Sequence, residues 1–279
     1  METNQTAKAP VAKTAKRKNS VPGIKNAGIV IIICFLIAVC IFNFVLGNPS
    51  NFQGGDAANG HPMNMLGTIY KGGVVVPLIH TLLLTVIALS FERWIAMRAA
   101  FGKRSLSKFV RDVQAALQTG DITKARKLCD AQKGSVGNVV IATLDKYEEM
   151  DQKEGMVKDQ KVIAIQQELD EATALELPML QENLPIIGTI TTLGTLFGLL
   201  GTVIGMIRSF AALAAGGGAD SLALSTGISE ALINTAFGIL TAALAVIFYN
   251  YFTNKIDKLT YAIEEVGFSI VQTFSATHK

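Results

Sequence analysis

Charge is what this chain has least of. Only 17% of its 279 residues are Asp, Glu, Lys or Arg, whereas a soluble chain of this size carries about 25%. The deficit comes from a few long stretches with no charge at all, the pattern of a membrane-spanning chain. The net charge of +3 is small, and no run beyond the N-terminus is strongly basic, so nucleic acid is excluded as a partner. Cysteine is scarce. Cys34, Cys40 and Cys129 lack metal-ligand spacing, two in an apolar run and one in a charged stretch. A disulfide framework and a zinc site are both unsupported, leaving small buried side chains. His61, His80 and His278 are too scattered to form a site. Walker, HExxH and GxSxG motifs are missing, and no second buried carboxylate is present for acid–base chemistry. The expectation is a protein that is not an enzyme and holds no metal or cofactor.

What is present is organised in blocks. Residues 1–27 are polar, with Lys8, Lys13, Lys16, Arg17, Lys18 and Lys25, and such a segment cannot bury enough apolar surface to fold alone, so it reads as a disordered arm. Residues 28–46 (GIVIIICFLIAVCIFNFVL) are long enough to cross the bilayer. They read either as a span or as a signal-peptide core; the long arm, the length of the apolar run and the lack of a nearby A-x-A site point to a span. Residues 47–72 form a Gly/Asn/Pro-rich loop. Gly73 to Phe91 is a second span, closed by Glu92-Arg93-Trp94 at the interface, and Pro77 is tolerable near its start. His80 reads as a proton relay or as a packing, backbone-bonded side chain.

Residues 92–183 are charged and amphipathic. Phe109, Val110, Val113, Ala116 and Leu117 recur at helical spacing, as do Val139, Ala142 and Leu144, and Val162, Ile165, Leu169, Thr173 and Leu177. Gly120-Asp121 and Gly134-Ser135 mark turns. The first and last of these helices are expected to run on from the neighbouring spans. A third span covers 184 to about 212 and a fourth 226–252, joined by a short loop holding Asp220; residues 254–279 read as an amphipathic C-terminal helix. The fold class is therefore an all-α membrane protein with four transmembrane helices and a helical polar region. Because nearly all Lys and Arg lie in the arm, the middle region and the tail, those three are expected in the cytoplasm and the loop 47–72 in the periplasm.

The last two spans carry the chemistry. In the third, Gly194, Gly198 and Thr202 lie four apart, as do Gly201, Gly205 and Ser209. Small residues at that spacing let helices approach closely in lipid. Thr191, Thr192, Thr195 and Thr202 add hydroxyls. The fourth span holds Glu230, the one carboxylate well inside any span, and burying it costs about 2.5–3.5 kcal/mol on insertion scales. Asn234 and Thr241 follow on the same face, and Thr235 flanks it. Glu230 reads as lining a polar path, or as snorkelling to the interface. Arg208, at a comparable depth, reads as snorkelling or as pairing with Glu230.

Here a resemblance becomes specific. GLLGTVIGMIRSF (Gly198 to Phe210) and GISEALINTAFGILTAALAVIFYN (Gly227 to Asn250) resemble the paired helices of the ExbB/TolQ/MotA proton-channel family, most closely its ExbB branch, with the runs G-L-L-G-T-V-x-G-M and G-I-x-E-A-L-x-x-T-A-x-G-L followed by Y-N. Every fixed position is met except one, where Ile239 replaces Leu. GDITKARKLC (Gly120 to Cys129) is similar to the family's cytoplasmic helical domain, so the resemblance covers residues 73–253. It implies that Thr202 and Thr235 face the channel and that Glu230 belongs to a polar ring. Asn234 and Thr241 complete the expected path lining, and Gly194, Gly198, Gly201, Gly205 and Gly238 the expected packing surface.

It also implies a homo-oligomeric ring of five copies around an ExbD/TolR-like single-span partner, whose intramembrane Asp carries the proton. No span of this chain contains an Asp. The implied role is a proton-motive-force motor subunit of a bacterial inner membrane that energises a TonB-like transducer for outer-membrane import. A TolQ-type envelope-maintenance motor and a non-conducting scaffold are the alternatives. Two departures stand out. Gly194-Thr195 occupy the place of the family's frequent Ala-Pro, which moves the expected kink to Pro185. The first span is extra.

Overall fold

The computed structural model describes residues 23, 26–57, 60–215 and 221–278. Most of the basic arm, and the loop expected around Asp220, lie outside them. Among the described residues every regular element is a helix. The α-helices are α1 (Ala27–Cys40), α2 (Met65–Lys71), α3 (Val75–Phe101), α4 (Leu106–Gln118), α5 (Ile122–Gln132), α6 (Gly134–Gln152), α7 (Lys158–Gln181), α8 (Leu184–Ala215) and α9 (Ser221–Thr277). Four helices are long and apolar enough to cross a membrane. A helix is what an apolar run must form in hydrocarbon, because it satisfies its own backbone. The chain divides into an apolar unit, Pro22–Ala99 with Leu177–Leu259, and a polar unit, Ala100–Glu176 with Thr260–Lys279.

In the apolar unit, α1 passes directly into a π-helical turn, Ile41–Leu46. The segment after it is more ordered than a Gly/Asn-rich loop suggests. Asn51 donates to the carbonyls of Val45 and Leu46 at 2.9 and 3.0 Å, and its own carbonyl oxygen accepts from Asn64 at 2.9 Å. Asn64 caps α2 by accepting from the Gly67 amide at 3.0 Å, which satisfies a first-turn N–H. Phe42 stacks on Tyr70 at 4.6 Å and Phe52 meets the same ring edge-on at 5.5 Å. Leu46, Ile69 and Val76 are buried together against Ile233 and Phe237 of α9. Asparagine hydrogen bonds and ring burial together hold this segment in place.

Two expected continuities come out differently. α3 does run on past the apolar stretch to Phe101. Between α7 and α8, however, the helix breaks at Glu182-Asn183, where Asn183 takes φ 66°. Asn tolerates the left-handed region better than most residues. Pro185 then lies in the first turn of α8, where its missing N–H costs nothing; it starts a helix and does not kink one. The fourth span and the tail form a single helix, α9, of 57 residues. Its buried positions Ala231, Asn234, Gly238, Thr241 and Ala245 repeat at three- and four-residue steps, and Phe252, Ile256 and Leu259 extend the row. The same rhythm passes through residue 253 without a stop signal, which is why the helix continues.

The polar unit packs α4 through Phe109, Val110, Val113, Ala116 and Leu117, all buried. Asp121 caps α5 by accepting from the Lys124 amide at 2.8 Å, after Gly120 turns the chain at φ 70°. Ile263, Val266, Ile270 and Phe274 of α9 are buried in the same unit. Tyr147 meets the Phe274 ring edge-on at 4.9 Å.

Candidate functional site

The site is built on the contact between α8 and α9. A β-carbon at Gly194 would stand 3.0 Å from the carbonyl oxygen of Gly238, and one at Gly198 would stand 3.2 Å from the α-carbons of Thr235 and Gly238. One at Gly205 would meet the Ala231 β-carbon at 2.5 Å, and one at Gly201 would run into the Asn234 side chain. From the other side, Gly238 faces the Gly198 α-carbon with only 2.7 Å for a β-carbon. The two backbones touch because the residues between them have almost no side chain. Without hydrophobic attraction between helices in lipid, such packing is what holds them together.

That approach brings two hydroxyls together. Thr202 Oγ1 and Thr235 Oγ1 are both 3.1 Å from the carbonyl oxygen of Gly198, and they are in hydrogen-bond contact with each other. Two hydroxyl protons serve three contacts, so one contact is always without a proton. Rotating the hydroxyls exchanges which one it is, with no net charge created. Both threonines are half-buried, so the pair keeps an open side.

The other residues expected along the path are placed differently. Asn234 is 2% exposed and donates through Nδ2 to the carbonyl of Gly72 at 3.0 Å. Thr241 is fully buried, with its hydroxyl on the Phe237 carbonyl of its own helix at 2.8 Å. Within one chain both side chains lie between helices, Asn234 against Gly201 and Thr241 against Gly194 of α8. Glu230 is half-buried near the start of α9. Arg208 is exposed and not paired with Glu230; its guanidinium lies against Gly73, where a β-carbon would come within 2.7 Å of Nη1. His80 bonds the Val76 carbonyl through Nδ1 at 2.9 Å and lies 5.1 Å from the Phe237 ring.

Glu92 and Arg93, expected at the membrane interface, are instead buried in one polar cluster. Arg93 is completely buried, paired with Glu92 and donating to the Met179 carbonyl at 3.1 Å. It thereby closes the C-terminal end of α7, whose last carbonyls have no partner within the helix. Asn183 donates to Glu92 at 3.4 Å. The signal was the Glu-Arg pair itself: opposite charges in adjacent positions inside a helix that runs on, not the end of a span.

A profile of the MotA/TolQ/ExbB proton channel family matches residues 136–265. The chain is 29% identical over 203 residues to the Tol-Pal system protein TolQ of Pseudomonas aeruginosa, covering 70% of this chain and 86% of that one. It is 34% identical over 194 residues to the putative biopolymer transport protein ExbB-like 1 of Synechocystis sp., covering 66% and 69%. The chain belongs to the MotA/TolQ/ExbB proton channel family. The biopolymer transport protein ExbB of Salmonella typhimurium is also similar, at 32% over 85 residues, 30% of this chain and 35% of its own. As a family member the chain is a membrane protein of the proton-channel class that energises envelope systems. The matched region contains α8, nearly all the apolar part of α9 and every threonine and glycine of their contact. It does not contain α1, α2 or α3.

Proposed function

We propose that this chain is the channel-forming subunit of a bacterial inner-membrane motor driven by the proton motive force. The observation that carries the reading is the pair Thr202–Thr235 gathered on the Gly198 carbonyl, a hydroxyl wall that can hand hydrogen bonds across without holding charge. A second component must then store the proton, since no span here has an Asp. The partner is an ExbD/TolR-like single-span protein with an intramembrane Asp, held inside a ring of five copies of this chain. A proton crossing 100 mV releases about 2.3 kcal/mol. Protonation removes the partner's charge and lets its helix move past the hydroxyl wall; re-ionisation on the other side resets it.

The motor energises a TonB-like transducer for outer-membrane import. The match to a TolQ protein over most of its length supports a second reading, an envelope-maintenance motor of the Tol type. In both, the N- and C-termini and the polar unit lie in the cytoplasm, where the positive-inside rule puts them. Glu230, Asn234 and Thr241 complete the polar face of α9 in the ring.

Native mass spectrometry of the complex, purified gently from its own membrane, tests this. Several copies with a small single-span protein bearing an intramembrane Asp are the expected result, and the transducer recovered alongside separates import from envelope maintenance. A homo-oligomer with no such partner contradicts the motor and favours a scaffold.

A further inference from the structure

Sequence spacing leaves His278 isolated, but the fold surrounds it. In the polar unit the C-terminal turn of α9 lies against the C-terminal end of α6. Phe274 is completely buried and meets the Tyr147 ring edge-on. The Tyr147 hydroxyl reaches Thr277 Oγ1 at 3.3 Å. The His278 imidazole stacks on the Phe274 ring, with centroids 4.1 Å apart and planes 14° from parallel. Both of its nitrogens are then engaged. Nε2 is 2.5 Å from Asp151 Oδ1 at the end of α6, and Nδ1 is 3.0 Å from the Phe274 carbonyl oxygen. Thr277 Oγ1 also lies 3.0 Å from Nδ1, while its own proton has the Thr273 carbonyl at 2.9 Å.

These contacts select a protonation state. Carboxylate and carbonyl oxygens only accept, so each needs an N–H, and a neutral imidazole has one. With that proton on Nε2, the Nδ1 lone pair faces the Phe274 carbonyl; with it on Nδ1, the Nε2 lone pair faces the Asp151 carboxylate. The imidazolium donates both ways. Two further features favour the cation. The Phe274 carbonyl belongs to the last turn of a 57-residue helix, whose negative end attracts positive charge. The face of an aromatic ring attracts a cation as well. Among the described residues, the titratable groups set against the ring are Asp151 and Tyr147, both on α6. From α9 it meets Phe274 and Thr277.

We infer that His278 is a pH-sensitive clasp: as the imidazolium it ties the C-terminal turn of α9 to Asp151 at the end of α6, and on losing its proton it releases that turn. Histidine is the side chain whose ordinary charge change falls between about pH 5 and 8. The folded contacts favour its protonated form, so the stability they give is present at the acidic end of that range and fades as pH rises. The clasp reads the pH of the compartment that holds the polar unit, and it grips the same helix that carries Thr235. It stands whether or not α8 and α9 form a channel wall.

Amide hydrogen exchange of the full chain in its purified complex tests this, read as protection factors so that the intrinsic pH dependence of exchange divides out. Measurements at about pH 5.5 and about pH 8.5 bracket the histidine range. From the first to the second, protection of residues 272–277 is expected to fall about tenfold, the loss of one charge-assisted hydrogen bond. The buried face of α4, Phe109 to Leu117, is expected to keep its protection. His278→Gln cannot carry the charge and is expected to give the low value at both pH values. His278→Arg is charged at both and long enough to reach Asp151, so it is expected to give the high value throughout. Asp151→Asn is expected to shrink the step. Equal protection at both pH values in wild type, or an undiminished step in His278→Gln or Asp151→Asn, overturns the clasp. A fall that α4 shares is a loosening of the whole unit and overturns it too.

Discussion

Thr202 of α8 and Thr235 of α9 share one acceptor, the carbonyl oxygen of Gly198, and touch each other across it. Two helices, α8 and α9, thus present their hydroxyls as one unit. A Thr202→Cys/Thr235→Cys chain, on a Cys40→Ser background because Cys34 and Cys129 are buried, is expected to form a disulfide under mild oxidation. Non-reducing electrophoresis after a proteolytic cut between the helices reads it. Two free thiols after oxidation contradict the geometry.

The contact depends on glycine. Gly238→Leu places a side chain where the β-carbon alone meets the Gly198 α-carbon at 2.7 Å and the Gly194 carbonyl at 2.5 Å. Because the obstacles are backbone atoms, the helices must separate, at a cost of at least about 1–3 kcal/mol. Thermal unfolding of the purified chain measures it. Added to the Thr202→Cys/Thr235→Cys chain, the same change is expected to lower the yield of the disulfide.

Arg93 and Glu92 form a buried pair, and breaking one leaves the other charge without compensation. Arg93→Met is expected to destabilise the chain by about 3–5 kcal/mol. Adding Glu92→Gln to it removes the orphan charge and should recover part of the loss. Arg93→Lys keeps the charge but loses the planar fork that reaches both Glu92 and the Met179 carbonyl, so it should fall between. Denaturation midpoints of the four chains rank them. Equal midpoints for Arg93→Met and wild type contradict the burial.

Burial pushes the Cys129 thiol up to about 12, with Asp130 adding to the shift. At about pH 7.5 it is protonated and unreactive in the folded chain. The sign for stability follows: the unfolded thiol ionises above about 8.5, while the folded one keeps its proton. Stability from this group is intact below that pH and declines as pH rises toward 12. Maleimide labelling of Cys129 is expected only on unfolding, and a Cys129→Ala chain should lose less stability between pH 9 and 11 (roughly the window between the two ionisations) than wild type.

The apolar runs were legible because lipid leaves the backbone only one way to satisfy itself. Four spans, the buried face of α4 and the Ile256-to-Ile270 row of the tail could all be read from spacing. The glycine rows on α8 pointed to a close helix partner, and the family words pointed to α9. What was not legible depends on contacts far apart in sequence. Arg93 looked like an interface residue because its partners, the carbonyls of Met179 and Leu180, are more than eighty positions away. Residues 47–72 looked like a loop because nothing local shows that Asn51, Asn64 and the Phe42–Tyr70–Phe52 rings lock together. Asn234 and Thr241 shared a helical face with Glu230, yet burial against Gly72 and α8 is a property of the packed helices. The break at Asn183 was hidden by a proline two residues later, which drew the expected kink to itself.

The most direct measurement is proton flux into liposomes holding the intact complex under an imposed potential, with Thr202 and Thr235 each changed to Val and to Ser. Valine keeps the volume and removes the hydroxyl; serine keeps the hydroxyl. Each change removes at most one hydrogen bond worth about 1 kcal/mol, so the complex should stay assembled. Flux lost with valine and retained with serine is the expected result. Equal flux in wild type and the Thr202→Val/Thr235→Val double variant, in an assembled complex, would contradict the hydroxyl wall as the path.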